Sequence, residues 1–157
     1  ATRNYIVVFG ENDQLETILG LRFGNRQLLE QALVHRSYIN VQGWSSASSY
    51  DRLEYLGDDV LELSVSYELY RRRPHFTEGE LTKGRSALVR GETLAKVAIR
   101  SGLSEYILLG KGEEAAGGRY RDSILAAFVY PLTGCLPSIL SAYVNPLPVC
   151  LRAKLSD

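Results

Sequence analysis

Glu54 and Asp58 stand four residues apart, which on a helix places both carboxylates on one face, about one turn from each other. Two hard oxygen donors at that separation can share a Mg2+ ion, which keeps several waters and takes only one or two protein carboxylates together with phosphate oxygens. The same spacing also describes an acidic, solvated helix face, and Asp59 and Glu62 show how readily acids gather there. The pair alone therefore does not decide. Other candidates are weaker. His35 and His75 have no neighbouring Cys or second His and read as structural or surface residues. Cys135 and Cys150 lack CxxC spacing, which argues against zinc and against a disulfide framework and fits a reducing compartment. Residues 110–118 are glycine-rich but lack the G-x-x-x-x-G-K-[ST] spacing of a phosphate loop. Arg71, Arg72, Arg73, Lys83, Arg85 and Arg90 gather around one helix junction, either as a solvated surface or as a phosphate-contacting patch.

The elements that must hold these residues are helical. From Asp51 to Arg73 the apolar residues Leu53, Leu56, Val60, Leu63, Tyr67 and Tyr70 recur at helical spacing, and Pro74 closes the segment. The stripe Leu53, Leu56, Val60, Leu63 reads as core packing. Residues 14–35 carry two shorter amphipathic helices around a Gly24-Asn25 break, followed by an exposed polar loop over residues 42–49. Thr77 followed by Glu80 is a capping-box pattern that opens a helix running toward Arg90, and Leu94, Val97 and Ala98 mark another ending near Gly102. Residues 110–118 predict a flexible loop, and a last apolar segment begins at Ser123. Four of the five prolines lie beyond residue 130, a spacing that predicts a broken, partly irregular tail, since an interior proline costs a helix about 3 kcal/mol.

A chain of 157 residues, 45% of them hydrophobic, is sized for one core and one all-α domain. The 18 basic and 18 acidic residues cancel, which excludes the strongly basic class of nucleic-acid binders and makes any such surface local. No stretch approaches the roughly 18 apolar residues of a membrane span, and the N-terminus lacks a basic region followed by an apolar run. The expectation is a soluble, cytoplasmic protein without a membrane partner.

The residues around the carboxylate pair narrow the reading. Asp51-Arg-Leu-Glu-Tyr-Leu-Gly-Asp-Asp-Val-Leu-Glu-Leu63 resembles the ribonuclease III family motif N-E-R-L-E-F-L-G-D-A-V-L. His35-Arg-Ser-Tyr38 resembles its H-R-S-Y, Glu78-Gly-Glu-Leu81 its E-G-E-L, Leu109-Gly-Lys-Gly-Glu-Glu114 its glycine-rich segment, and Arg121-Asp-Ser-Ile-Leu-Ala126 the start of its last catalytic motif. The resemblance covers roughly residues 14–126. It implies an all-helical endonuclease domain over residues 14–157 after an N-terminal extension of residues 1–13, a two-fold homodimer, and a Mg2+-dependent site, with Mn2+ as substitute, along a valley that accepts double-stranded RNA.

Carried over residue by residue, Glu54 and Asp58 occupy two of the family's four active-site carboxylates, and these two are the implied catalytic and metal-holding residues. The family continues R-[DE]-S-I-L-A-D-A-F-E-A-L-I-G, whereas this chain has Ala127 at the Asp position and Tyr130 at the Glu position. Residues 123–156 contain no Asp or Glu, and Asp122 lies five residues before the expected acid, about 140° around a helix from it. Residues 127–157 are therefore atypical. The resemblance implies a double-strand-specific endoribonuclease whose activity in this chain is impaired, or a catalytically inert dimerisation or RNA-binding module on the same fold. Full-length bacterial members add a double-stranded-RNA-binding domain that is not read here, so substrate choice is expected to rest on helix shape, 2′-hydroxyls and phosphate spacing.

Overall fold

The computed structural model describes residues 11–135 apart from Leu21, Trp44, Ser46 and Ala47. The expected proline-broken tail beyond Cys135 and most of the N-terminal extension lie outside the described residues. Eight α-helices follow one another: α1 (Glu11–Leu19), α2 (Arg26–Ala32), α3 (Arg36–Gln42), α4 (Asp51–Arg72), α5 (Glu78–Val89), α6 (Gly91–Arg100), α7 (Lys111–Ala115) and α8 (Asp122–Gly134). Among the described residues there is no strand, only an isolated parallel bridge between Val34 and Leu108. The all-α expectation holds.

Local chemistry accounts for several boundaries. Asn25 accepts from the backbone N–H groups of Gln27 and Leu28 and so starts α2 at the expected break. Thr77 and Glu80 form both hydrogen bonds of a capping box at the head of α5. Gly102, at φ +72, terminates the stretch after α6 in a left-handed conformation. In α4, Asp51 and Glu54 sit in the first turn and Arg71 and Arg72 in the last, charges that complement the helix dipole. Both arginines donate to Glu68, at 2.9 and 2.7 Å, so this buried carboxylate is paired.

α8 is the centre of the domain. Nine of its residues, Ile124, Leu125, Ala126, Phe128, Val129, Pro131, Leu132, Thr133 and Gly134, are buried, as expected for a helix that is apolar all round. It packs on α4 along one side and on α6 along another. Pro131 lies inside this helix, which continues to Gly134. The sequence-based break therefore does not occur there. Pro131 costs α8 the one hydrogen bond its missing N–H would have made, and burial of Phe128, Val129, Leu132 and Thr133 beside it offsets that cost.

Two further expectations are corrected. The core face of α4 is Leu53, Gly57, Leu61, Ser64, Val65, Glu68 and Leu69, not the Leu53, Leu56, Val60, Leu63 stripe. Leu56, Leu63, Tyr67 and Tyr70 are 46%, 48%, 38% and 73% exposed. The side that meets α8 is the one with small residues, because the helices approach until their backbones touch. The 110–118 segment is likewise not a flexible loop. It forms α7 and a 3₁₀ turn, Gly118–Tyr120, secured by Arg119 on Glu114 at 2.7 Å and Arg121 on Glu113 at 2.6 Å.

The approach of α4 to α8 requires glycine on both helices. A Cβ on Gly57 would lie 1.7 Å from the Tyr130 carbonyl oxygen, and one on Gly134 would lie 2.6 Å from the Leu53 carbonyl oxygen. Neither obstacle is a side-chain tip that could rotate away. Gly57→Ala is therefore expected to destabilise the domain by more than about 3 kcal/mol, beyond the ordinary cost of overpacking, or to abolish cooperative folding. Thermal denaturation followed by circular dichroism checks this, and a shift of only a few degrees would mean that the two helices separate easily.

Candidate active site

Glu54 and Asp58 bracket Gly57 on α4, so the close helix crossing also sets where their carboxylates stand relative to α8. Glu54 is half-buried and Asp58 exposed. Burial is the main cause that holds the Glu54 carboxyl above its ordinary pKa, the charges of Asp51 and then Asp58 push it further the same way, and Arg36 opposes them. Glu54 thus stands between two neighbouring acids on α4, with Arg36 opposing them. On the α8 side the phenol of Tyr130 is raised by burial and then by the charges of Asp58, Glu54 and Glu62. Tyr130 accordingly faces the acidic side of α4, with Ala127 one turn before it.

Asp122 opens α8 but does not complete the pair. Among the described residues, no three His, Cys, Asp or Glu side chains are grouped so that they could hold a metal ion. The arrangement fits a hard divalent cation only as a two-carboxylate half-site, with water supplying the remaining ligands.

The N-terminus of α4 is anchored by residues to which sequence reasoning gave no part in the site. Tyr50, 2% exposed, accepts from the Glu54 N–H at 2.8 Å and donates its own N–H to Val34 at 3.0 Å. Its ring meets His35 edge-on at 5.6 Å and lies 6.5 Å from Phe128 of α8. His35 is structural, as its isolation in the sequence suggested. Its Nδ1 caps α3 by accepting from the Ser37 N–H at 3.1 Å, and Ser37 Oγ accepts from the Gly110 N–H at 2.9 Å. Burial lowers the His35 pKa, outweighing the opposing pull of Glu113 and Asp51, so the ring stays neutral and able to accept. A buried aromatic at position 50, where the motif has Asn, was the one signal for this anchor.

The basic cluster is largely engaged within the protein. Arg71 and Arg72 serve Glu68, Arg85 donates to Ser66 Oγ at 3.1 Å, Arg90 stands 3.6 Å from Glu92, and the Arg73 guanidinium lies 6.0 Å from the Phe76 ring centre.

Comparison with known proteins matches residues 25–137 to the family model described as Ribonuclease-III-like. The chain belongs to the ribonuclease III family. It is 48% identical over 123 residues to Ribonuclease 3 of Enterococcus faecalis, covering 78% of this chain and 54% of that protein. It is 46% identical over 114 residues to Ribonuclease 3 of Syntrophobacter fumaroxidans, covering 73% and 47%. The chain thus spans about half the length of these relatives. A nuclease-domain structure of ribonuclease III from Campylobacter jejuni, described for structural flexibility in a region involved in dimer formation, superposes with a TM-score of 0.71 at 35% identity, over 83% of this chain and 85% of that one. Between α4 and α8, the α4 side carries Glu54 and Asp58 and the α8 side carries Tyr130, whose phenol feels both charges.

The electrostatics of Glu54 yield a pH dependence. Because its folded pKa is raised, ionised Glu54 costs stability at neutral pH, and the cost fades as pH falls through that pKa. Glu54→Gln is expected to raise the melting temperature at pH 7 by roughly 1–3 °C, with the difference vanishing below the ordinary carboxylate value of 4.5. Differential scanning calorimetry across this range checks it. A variant less stable than the parent at pH 7 would show that the ionised carboxylate is compensated after all.

Proposed function

We propose that this chain is a ribonuclease III-type nuclease domain that binds double-stranded RNA as a homodimer, holds Mg2+ or Mn2+ weakly through Glu54 and Asp58, and cleaves RNA very slowly or not at all. The observation that carries this reading is that Glu54 and Asp58 stand one turn apart on α4, on the side where their charges reach the Tyr130 phenol of α8. The acidic half of a metal site is retained, and the half that α8 would supply is an alanine and a phenol.

Glu54 and Asp58 are the residues that would bind the cation, and their mutual repulsion favours any divalent ion that neutralises them. When bound, such an ion activates water and stabilises the leaving oxygen of a phosphodiester. The protein's own part is to orient those ligands. Tyr50 anchors the turn that bears Glu54, and the α4–α8 crossing fixes the turn that bears Asp58. With two carboxylates rather than four, position is loosely determined, and a displacement of about 1 Å can cost on the order of a hundredfold in rate. Dimerisation is supported by the row of Tyr55, Leu56, Leu63, Tyr67 and Tyr70 left exposed along α4, an apolar surface that a monomer gains nothing by presenting to water. Duplex recognition would then rest on shape and phosphate contacts.

The same substitutions favour a second reading, a catalytically inert dimerisation or RNA-binding module. One assay separates the two: Mg2+-dependent cleavage of a duplex RNA, with binding measured in parallel, by the unmodified chain, by Ala127→Asp/Tyr130→Glu and by Asp58→Ala. Duplex binding is expected from all three. Cleavage should be at least about a hundredfold faster in the double variant than in the unmodified chain. Robust cleavage by the unmodified chain that disappears in Asp58→Ala would overturn the impaired-site reading, and binding without cleavage in every variant would establish the inert module.

A further inference from the structure

His35 and Ser37 do more than cap α3, because the bonds they make fix the protonation state of the ring. The Ser37 backbone N–H can only donate, and it meets His35 Nδ1 at 3.1 Å. Nδ1 must therefore carry a lone pair, which leaves the single proton of a neutral ring on Nε2. Ser37 Oγ lies 2.7 Å from the same nitrogen and accepts from the Gly110 N–H at 2.9 Å, so its own proton is free to point at Nδ1. A chain of donors thus runs from Gly110 through Ser37 to the ring, joining residues 73 positions apart.

The ring closes the seam between α3 and the segment that leads into α7. Along this seam the His35 N–H donates to the Leu108 carbonyl at 3.1 Å and the Leu108 N–H to the Leu33 carbonyl at 2.8 Å. The backbones then touch, since a Cβ on Gly110 would lie 2.4 Å from the Ser37 carbonyl oxygen. His35 is 8% exposed, with the Tyr50 ring of α4 edge-on beside it. A second proton on the imidazole would make Nδ1 a donor facing another donor, so the Ser37 N–H would lose its partner and the hydroxyl proton would have to turn away. The surrounding charges do not make good that loss. Burial acts most strongly against the charged ring, Glu113 of α7 and Asp51 of α4 favour it, and Arg36 of α3 and Arg121 at the head of α8 oppose it. Glu113 is in any case already paired with Arg121 at 2.6 Å.

We propose that His35 is a proton-sensitive latch: while the ring is neutral it holds α3 against the 108–110 segment and α7, and its protonation in mildly acidic solution opens that seam while the α4–α8 core stays folded. The core is not drawn in, because the contact of α4 with α8 runs through Gly57 and Gly134 and includes no histidine. Linkage fixes the direction. A ring that charges at its ordinary value of 6.5 when the seam is open, and only at lower pH when it is closed, makes closure strongest above that value and progressively weaker as pH falls through it.

The test is amide hydrogen exchange, resolved by NMR and corrected for intrinsic rate, at about pH 7.5 and about pH 5.5. It is run on the unmodified chain and on His35→Asn, whose side-chain oxygen caps a helix but takes up no proton. In the unmodified chain, protection of the Ser37 and Gly110 amides should fall severalfold at the lower pH, to a limit of about tenfold for a ring that charges only in the open form, while the Phe128 amide of α8 keeps its protection. His35→Asn should show the same protection at both pH values, whatever its absolute level. Equal loss in both proteins would assign the proton to Asp51, Glu113 or another group and overturn the proposal. Unchanged protection in the unmodified chain, or loss that extends to Phe128, would overturn it as well. Should His35→Asn fail to fold, the ring nitrogen shifts of the unmodified chain decide instead: the neutral ring should be the Nε2–H tautomer and should charge below 6.5 together with exposure of the Ser37 amide. A proton on Nδ1 of the neutral ring, or charging at 6.5 or above, overturns the latch.

Discussion

The backbone-to-backbone contact of α4 with α8 is the constraint from which the rest of this domain follows. Gly57 against the Tyr130 carbonyl and Gly134 against the Leu53 carbonyl bring the two helices together with no side chain between them. That closeness dictates which face of α4 is buried, and it places the half-buried Glu54 and the exposed Asp58 on either side of Gly57 at the contact. It also buries nine residues of α8, Pro131 and Thr133 among them. Tertiary packing supplies the stability that local propensity would not.

Electrostatics and packing pull in opposite directions at this crossing. Burial and like charge raise the Glu54 carboxyl, a cost that a merely structural helix would avoid by placing a neutral residue there. The Tyr50 anchor, the His35 cap and the link from Ser37 to Gly110 hold the head of α4 firmly enough to sustain that cost. On the opposite side Tyr130 and Ala127 add no charge. The result is a pair of carboxylates on α4 facing an uncharged side of α8.

The outer side of α4 follows a different logic. Its aromatic and aliphatic residues repeat at helical spacing as regularly as any core stripe, yet they remain open to solvent in the single chain. Elsewhere several charges are paired locally, the buried Glu68 with Arg71 and Arg72, Glu113 with Arg121, and Glu114 with Arg119. One face of α4 thus serves the core while the other presents apolar side chains to solvent.

Much of this was legible in the amino-acid sequence. The boundaries of α4, the capping box at Thr77, the left-handed end at Gly102 and the carboxylate pair at Glu54 and Asp58 all rest on interactions between residues a few positions apart, and such interactions leave a spacing that can be read. The family motif added what spacing could not, by marking Ala127 and Tyr130 as replacements. The sequence misplaced the core face of α4, because periodicity locates the most apolar stripe and cannot tell whether a neighbouring helix or a solvent-facing surface meets it. It treated residues 110–118 as flexible because glycine content was weighed and the local ion pairs of Arg119 with Glu114 and Arg121 with Glu113, five and eight residues apart, were not. It expected four prolines beyond residue 130 to give a broken tail, and within the described residues Pro131 lies inside α8, since proline's local cost is visible and the burial that offsets it is not. Whether Tyr130 faces Glu54, and whether a threonine hydroxyl reaches a carbonyl 76 positions away, were decided by the tertiary structure alone, because both depend on how closely two helix backbones can approach.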